Sequence, residues 1–272
     1  MTGFAIILKE EPRQRIDLAS LTEKICAARK AAEIEKLPIF VGNRKCVFGD
    51  LFVVYGKPGG RLVFDNVCGK IDGIGSRWRE GILEVYGDAG DRLGHGMTGG
   101  TIIVHGNAGD FAASGMRDGD ILIEGNAGNF LGAPLTGERA GMNGGVVRVE
   151  GNAGARTGDR LRRGLLLIEG DVGELCASRM IAGSIAVMGH MGPRLGHAMR
   201  RGALFMMRPP ARFPDSFNDS GAHTLPFHHL FLAHLKRQGG AFSVLNPSDN
   251  RLRKYVGDIS VRGSGALLFY DG

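Results

Sequence analysis

Arg156, Arg160, Arg162, Arg163, Arg179, Arg200 and Arg201 fall in three late coils. A guanidinium is a rigid, always charged fork of donors that holds a carboxylate or phosphate by two parallel hydrogen bonds. Arg156, Arg160, Arg163 and Arg179 are the candidate binding residues. A polycarboxylate tail or an acidic neighbouring subunit would match them; the plain alternative is a solvated basic patch. Glu124, Glu150 and Glu169 form a second group. Carboxylates held close together share protons or bind a cation. On a wet edge they do neither, and the wet edge is the expected reading. His223, His228, His229 and His234 form a third group. Imidazoles ligate zinc, but the sequence has no H-E-x-x-H and this spacing fits no zinc motif. No metal site is expected, and no catalytic residue is assigned.

A nineteen-residue repeat positions these groups. Gly87, Gly106, Gly125, Gly151, Gly170 and Gly189 each open a G-x-x-G, at steps of 19, 19, 26, 19 and 19 residues. A second series, Gly81, Gly100, Gly119, Gly145, Gly164, Gly183 and Gly202, keeps the same steps. A fixed period of this size marks a solenoid. Two residues after each leading glycine stand Leu83, Ile102, Ile121, Val147, Leu166, Ile185 and Leu204. Two further on stand Val85, Val104, Ile123, Val149, Ile168, Val187 and Met206. Apolar residues two apart, followed by the wetter column Tyr86, His105, Glu124, Glu150, Glu169, Met188 and Met207, predict short strands with one buried face.

Like residues lie over like residues one period later, so neighbouring coils should pair as parallel strands. Trp78, Met97, Met116, Met142, Leu161, Met180 and Met199 predict an internal stripe. Gly75, Gly94, Ala113, Gly132, Gly158, Ala177 and Gly196 predict a place where the wall lies too close to its opposite face for a side chain. Asn or Asp after the first glycine of the first five G-x-x-G strings predicts a corner that tolerates left-handed geometry. His95 and His197 fall near equivalent corners, and His105 and His190 also belong to coils, so repetition accounts for them. The 26-residue step inserts seven residues near Ala133–Arg139. Insertions of this kind loop outward and mediate contact.

The expected fold is mainly β: a right-handed, single-stranded parallel β-helix with a small α/β cap before it and an arm after it. Residues 1–50 form the cap, 51–207 the coils and 208–272 the arm. In the cap, Phe4–Leu8 reads as a strand. Ser20 with Glu23 reads as a capping box opening a helix over 20–36 that Pro38 stops. Leu51–Tyr55 and Leu62–Phe64 read as irregular first coils. In the arm, four prolines between 208 and 226 predict an extended linker, 227–238 a short helix and 241–272 strand pieces.

At 272 residues the chain can bury a sizeable core. Its net charge of +6 favours an anionic partner or ligand. Aromatics at 7% and glutamates on the coil exteriors argue against nucleic acid. The sequence contains no long apolar run and no signal peptide, so a soluble cytoplasmic chain without a membrane partner is expected. Cys26, Cys46, Cys68 and Cys176 form no C-x-x-C and read as reduced thiols. The strings of glycine precede further coil, not a helix, which argues against a phosphate loop.

The G-[DN]-A-G and G-M-x-x-G strings resemble the GXGXG β-helix. It is structural in the large subunit of glutamate synthase and occurs in the C subunit of formylmethanofuran dehydrogenase. Val41-Gly42-Asn43 and Phe48-Gly49-Asp50-Leu51-Phe52 before the coils bring the plan closer to the dehydrogenase version. The resemblance covers about residues 40–207. Phe227-His228-His229-Leu230 and the late arginines are similar to the bacterial version, in the formyltransferase/hydrolase complex.

That resemblance implies a non-catalytic scaffold beside an amidohydrolase-like catalytic subunit, a formyltransferase subunit and one further subunit. The implied complex passes a formyl group from formyl-tetrahydromethanopterin to a methanofuran-type amine and hydrolyses the product to formate. Both coenzymes would serve the complex, with no cofactor held by this chain alone. The alternatives are a tungsten or molybdenum dehydrogenase subunit and a free glutamate synthase-like domain. A stand-alone β-helical carbohydrate enzyme is a further one, but it would need aromatic sugar platforms, and the chain has a single tryptophan.

Overall fold

The computed structural model describes residues 2–270. The leading part comprises β1 (Gly3–Leu8), β2 (Ile16–Asp17), α1 (Thr22–Ala27), α2 (Ala31–Glu35), β3 (Pro38–Val41), β4 (Arg44–Val47), α3 (Phe48–Leu51) and β5 (Phe52–Gly56). The repeats follow as β6 (Arg61–Val67), β7 (Ile71–Asp72), β8 (Ile82–Gly87), β9 (Thr98–Val104), β10 (Asp118–Ile123), β11 (Asn143–Val149), β12 (Arg163–Ile168), β13 (Ser184–Val187) and β14 (Ala203–Met206). The chain ends with β15 (Asn218–Thr224), α4 (Pro226–Arg237), β16 (Arg251–Gly257) and β17 (Gly265–Tyr270).

One mostly parallel sheet of thirteen strands runs in the order β15-β16-β17-β14-β13-β12-β11-β10-β9-β8-β6-β1-β5. Its register is the sequence period. Leu83 faces Ile102, Ile102 faces Ile121, Ile121 faces Val147, and the row continues through Leu166, Ile185 and Leu204 to Leu267. The 26-residue step leaves this row unbroken, because the insertion is absorbed outside the strands. A second row of parallel bridges joins Ala89, Ala108, Ala127, Ala153, Val172 and Met191 at the G-x-x-G corners.

Both apolar columns and the sulfur stripe are buried: Met97, Met116, Met142, Met180 and Met199 have no exposed surface, and Trp78 has 5%. The column of small residues is left-handed throughout. Gly94 has φ +62°, and a Cβ there would stand 2.6 Å from Ile121 Cδ1. Ala113 and Ala177 take the same conformation at +58°. Close approach and positive φ therefore act at one position.

The corner Asn and Asp residues do different work from that expected. Asp88, Asn107, Asn126, Asn152 and Asp171 are absent from the positive-φ residues. Each presents its Oδ1 to the next repeat's backbone: Asn107, Asn126, Asn152, Asp171 and His190 donate their N–H over 2.7–2.8 Å. These side chains satisfy corner donors that the sheet cannot reach. Asp72, Asp91, Asp110 and Asn129 build a second such ladder.

Three local expectations are corrected. The helix over 20–36 is two short helices, α1 and α2, because the chain is extended at the buried Ala28 and Glu33 accepts the Arg29 N–H at 2.8 Å. Ser20 makes no capping box: the N-cap is Leu21, without a side-chain cap, and the preceding turn is held by Asp17 accepting from Ala19 N–H. Segment 51–55 is no coil: β5 pairs antiparallel with β1, which itself lies parallel to β6.

The late strands also depart from a single buried face. Leu165, Leu167, Ala186 and Phe205 point away from the main core and are buried by Phe231, Leu232, Leu235 and Phe242 of α4 and the turn after it. Beyond β14, β17 continues the sheet in parallel, and β16 and β15 follow antiparallel.

Candidate functional site

Two outward columns of the repeat make the most marked surface feature. The second residue before each leading glycine is Arg79, Thr98, Arg117, Asn143 and Arg162 in the first five repeats. The fourth residue before is Arg77, then Gly96, Gly115 and Gly141, then Arg160 and Arg179. Three glycines in succession leave a depression where neighbouring repeats carry side chains. The insertion forms one wall with Glu138, Arg139 and Ala140. The resulting cleft has a volume of about 570 Å³, and Arg77, Arg79, Arg117, Arg139 and Arg162 line it together with His95 and Glu138.

The charge of this cleft is only partly compensated. Arg79 pairs with Glu23 at 2.6 Å. Arg77, Arg117, Arg139 and Arg162 are exposed and have no ion pair among the described residues. Glu138 is occupied by its own loop: its Oε2 accepts the Leu135 N–H at 3.0 Å, and its carbonyl accepts from Arg160 at 3.3 Å.

The four arginines singled out from sequence do not converge on one point. Arg156 lies 6.0 Å from the ring of Phe130, which stacks on Phe111 with centroids 4.6 Å apart. Arg160 is tied to the insertion by its bond to Glu138. Arg163 is exposed at the start of β12. Arg179 forks onto Asp159, which is 2% exposed and also accepts from Ser178 Oγ at 2.7 Å. The hydrogen bond to Asp159 outweighs partial burial and holds the Arg179 guanidinium above its ordinary pKa. Arg162, from the same run, does line the cleft. Arg77, Arg79, Arg117 and Arg139 were missed. Their signal was the column next to the sulfur stripe, together with the glycines at 96, 115 and 141.

Two of the three stacked glutamates have side-chain partners, and the third has none for Oε1 among the described residues. Glu124 meets His105 at 2.9 Å, and Glu150 meets Arg148 at 2.8 Å. Glu169 lies under the turn at Gly240, with Oε1 buried and unpartnered. The carboxyl-terminal imidazoles bond to backbone: His228, 1% exposed, reaches the carbonyls of His223 and Asn250 at 3.1 and 3.2 Å, and His229 that of Pro247 at 2.8 Å. Among the described residues no group of three His, Cys, Asp or Glu side chains could hold a metal ion. None of the described helices is long and apolar enough to cross a membrane. Phe227, Leu230 and Val244 leave an exposed apolar surface on the carboxyl-terminal segment.

Stacked parallel repeats with glycine at each corner, carrying a basic cleft on the outside, define a glycine-repeat β-protein. The chain belongs to the GXGXG motif family, whose pattern matches residues 83–225. Among curated proteins it is similar to the Fhc C subunit of the formyltransferase/hydrolase complex of Methylorubrum extorquens, at 36% identity over 86 residues. That alignment spans 32% of either chain. Among solved structures it resembles a chain of the Methylorubrum extorquens formyltransferase/hydrolase complex (FhcABCD) crystallised with methylofuran. There the TM-score is 0.92 and the identity 35%, over 98% of this chain and 100% of that one. The resemblance drawn from the glycine strings thus extends over nearly the whole fold.

Proposed function

We propose that this chain is a non-catalytic scaffold subunit of a cytoplasmic formyltransferase/hydrolase complex. The observation that carries the proposal is the end-to-end match to a chain of such a complex, at 35% identity and a TM-score of 0.92. In this reading the complex moves a formyl group from formyl-tetrahydromethanopterin to a methanofuran-type amine and releases formate. An amidohydrolase-like subunit and a formyltransferase subunit do the chemistry, and one more subunit belongs to the assembly.

The proposed architecture is a right-handed, single-stranded parallel β-helix over 61–207, capped by the residues before it and extended by 208–272. Parallel crossovers are right-handed almost without exception. Arg156, Arg160 and Arg163 face an acidic neighbour or the anionic tail of the coenzyme. Arg179 belongs to that face but spends its charge on Asp159. Phe227, Leu230 and Val244 offer apolar area of the kind that interfaces between subunits bury.

The test is a mild affinity purification of the tagged chain from its native cells. The expected result is three co-purifying subunits and a pool that releases formate from formyl-tetrahydromethanopterin and a methanofuran-type coenzyme, without tungsten or molybdenum. A chain isolated without partners, or with amidotransferase and flavoprotein chains, overturns the proposal. Tungsten or molybdenum in the pool reassigns it to a dehydrogenase.

A further inference from the structure

The geometry points to the arginine cleft over Gly96 and Gly115 as a binding site for an acidic peptide segment, whose carboxylates are taken by Arg77, Arg117, Arg139 and Arg162. The cleft belongs to this chain's own surface, whatever complex the chain enters. Its first support is unspent charge. Four exposed guanidinium groups line one concavity, and none has an ion pair among the described residues. An uncompensated cluster of this kind is repulsive until an anion enters it.

The second support is spacing. Arg79, Thr98, Arg117, Asn143 and Arg162 occupy successive rungs, and rungs lie about 4.8 Å apart. Arginine therefore recurs every second rung, about 10 Å apart, along a row of about 19 Å. Arg79 is held by Glu23, and a single phosphate cannot meet the other two forks, Arg117 and Arg162, about 10 Å apart. An extended chain, with same-face side chains about 7 Å apart and flexible carboxylate stems, can follow the row. Thr98 and Asn143 alternate with the arginines and can bond to its backbone.

The third support is room and shape. Gly96 and Gly115, whose added Cβ atoms would meet nothing nearer than 3.7 Å, keep the floor free of side chains, and the volume of about 570 Å³ falls within the range of ordinary ligand pockets. No lysine lines the cleft. Guanidinium forks alone favour planar, bidentate carboxylate recognition.

The experiment titrates the full chain, with whatever subunits accompany it, against a short blocked peptide of alternating aspartate and glutamate. The same peptide built of asparagine and glutamine is the neutral comparison, and tripolyphosphate is the compact anion. The expected result is saturable binding of the acidic peptide alone. Arg117→Glu with Arg162→Glu should weaken it about a hundredfold, roughly tenfold for each charge-assisted hydrogen-bonded pair removed. Arg44→Glu with Lys45→Glu changes charge equally on β4, outside the cleft, and should leave binding within about twofold; circular dichroism should show both variants folded. Equal weakening by the two pairs means general charge and overturns the site. Tripolyphosphate binding as tightly as the peptide, or the neutral peptide matching the acidic one, overturns the carboxylate assignment.

Discussion

Four residues before the leading glycine, the second and third repeats carry Gly96 and Gly115, at φ +65° and +63°. The fifth and sixth carry Arg160 and Arg179, at +50° and +53°. One residue earlier the first and third repeats place Ser76 and Ser114, the second His95, and the late ones Asp159 and Ser178; all but His95 are buried. In the late repeats these groups complete one another: Asp159 accepts from Ser178 and Arg179. In the early repeats Ser76 Oγ and Ser114 Oγ have no partner among the described residues; outside, Arg79 is held by Glu23 while Arg77 and Arg117 have no ion pair among them. The backbone is the same in both regions. Side-chain choice in two columns decides whether the wall is closed or open to a ligand.

Breaking the closed region should cost most. Asp159→Ala removes the acceptor of one buried and two part-buried bonds and should lower stability by about 2–3 kcal/mol, measured by urea unfolding. That is below the usual cost of splitting a fully buried pair, because the half-exposed Arg179 can turn to water.

Filling the open region should cost less. Gly115→Ala adds a Cβ whose nearest neighbour, His95 Cε1, is 3.7 Å away, so only left-handed strain of about 1 kcal/mol remains. A much larger loss of melting temperature would mean that the cleft floor is packed, and the contrast between the regions would fail.

A smaller effect, governed by pH, concerns how the closed region continues into the carboxyl-terminal segment. The Asp258 carboxylate accepts from Ala198 N–H at 3.0 Å and from the Ser260 N–H and Oγ at 2.9 and 2.6 Å. Burial pushes its pKa up, the bonds from Ser260, Ala198 and Ser216 pull it down further, and the net shift is downward. A lowered folded pKa contributes stability above the unfolded value of about 3.9 and loses it as pH falls through the folded one. Unfolding midpoints should therefore drop below about pH 4 more steeply in the native chain than in Asp258→Asn. Parallel acid profiles would remove this role. Smallest of all, Ser114→Ala should change stability by no more than about 0.5 kcal/mol, since its hydroxyl makes no bond.

The repeat was legible because its neighbours in space are its neighbours in period. Leu83, Ile102 and Ile121 align on paper as they do in the sheet, and the sulfur stripe is buried as its column implied. Ligand chemistry was less legible. The run Arg156–Arg179 looks dense in sequence, yet its members point to a ring, a loop carbonyl and a buried carboxylate. Asn107 and Asn126 matched a turn rule for the wrong reason, because a ladder bond to the next repeat leaves no mark within one repeat.

Sequence by itself determined the period, the strands, the interior and the family, since all four depend on residue type at a constant interval. Tertiary structure alone decided which cations share a cleft. That required the insertion near 133–139 folded beside Arg117 and Arg162, and Gly96 and Gly115 leaving the floor open between them. It also decided that α4 seals the outer face of β12–β14. Charge and packing act through space over a few ångströms, and these residues lie up to about a hundred positions apart.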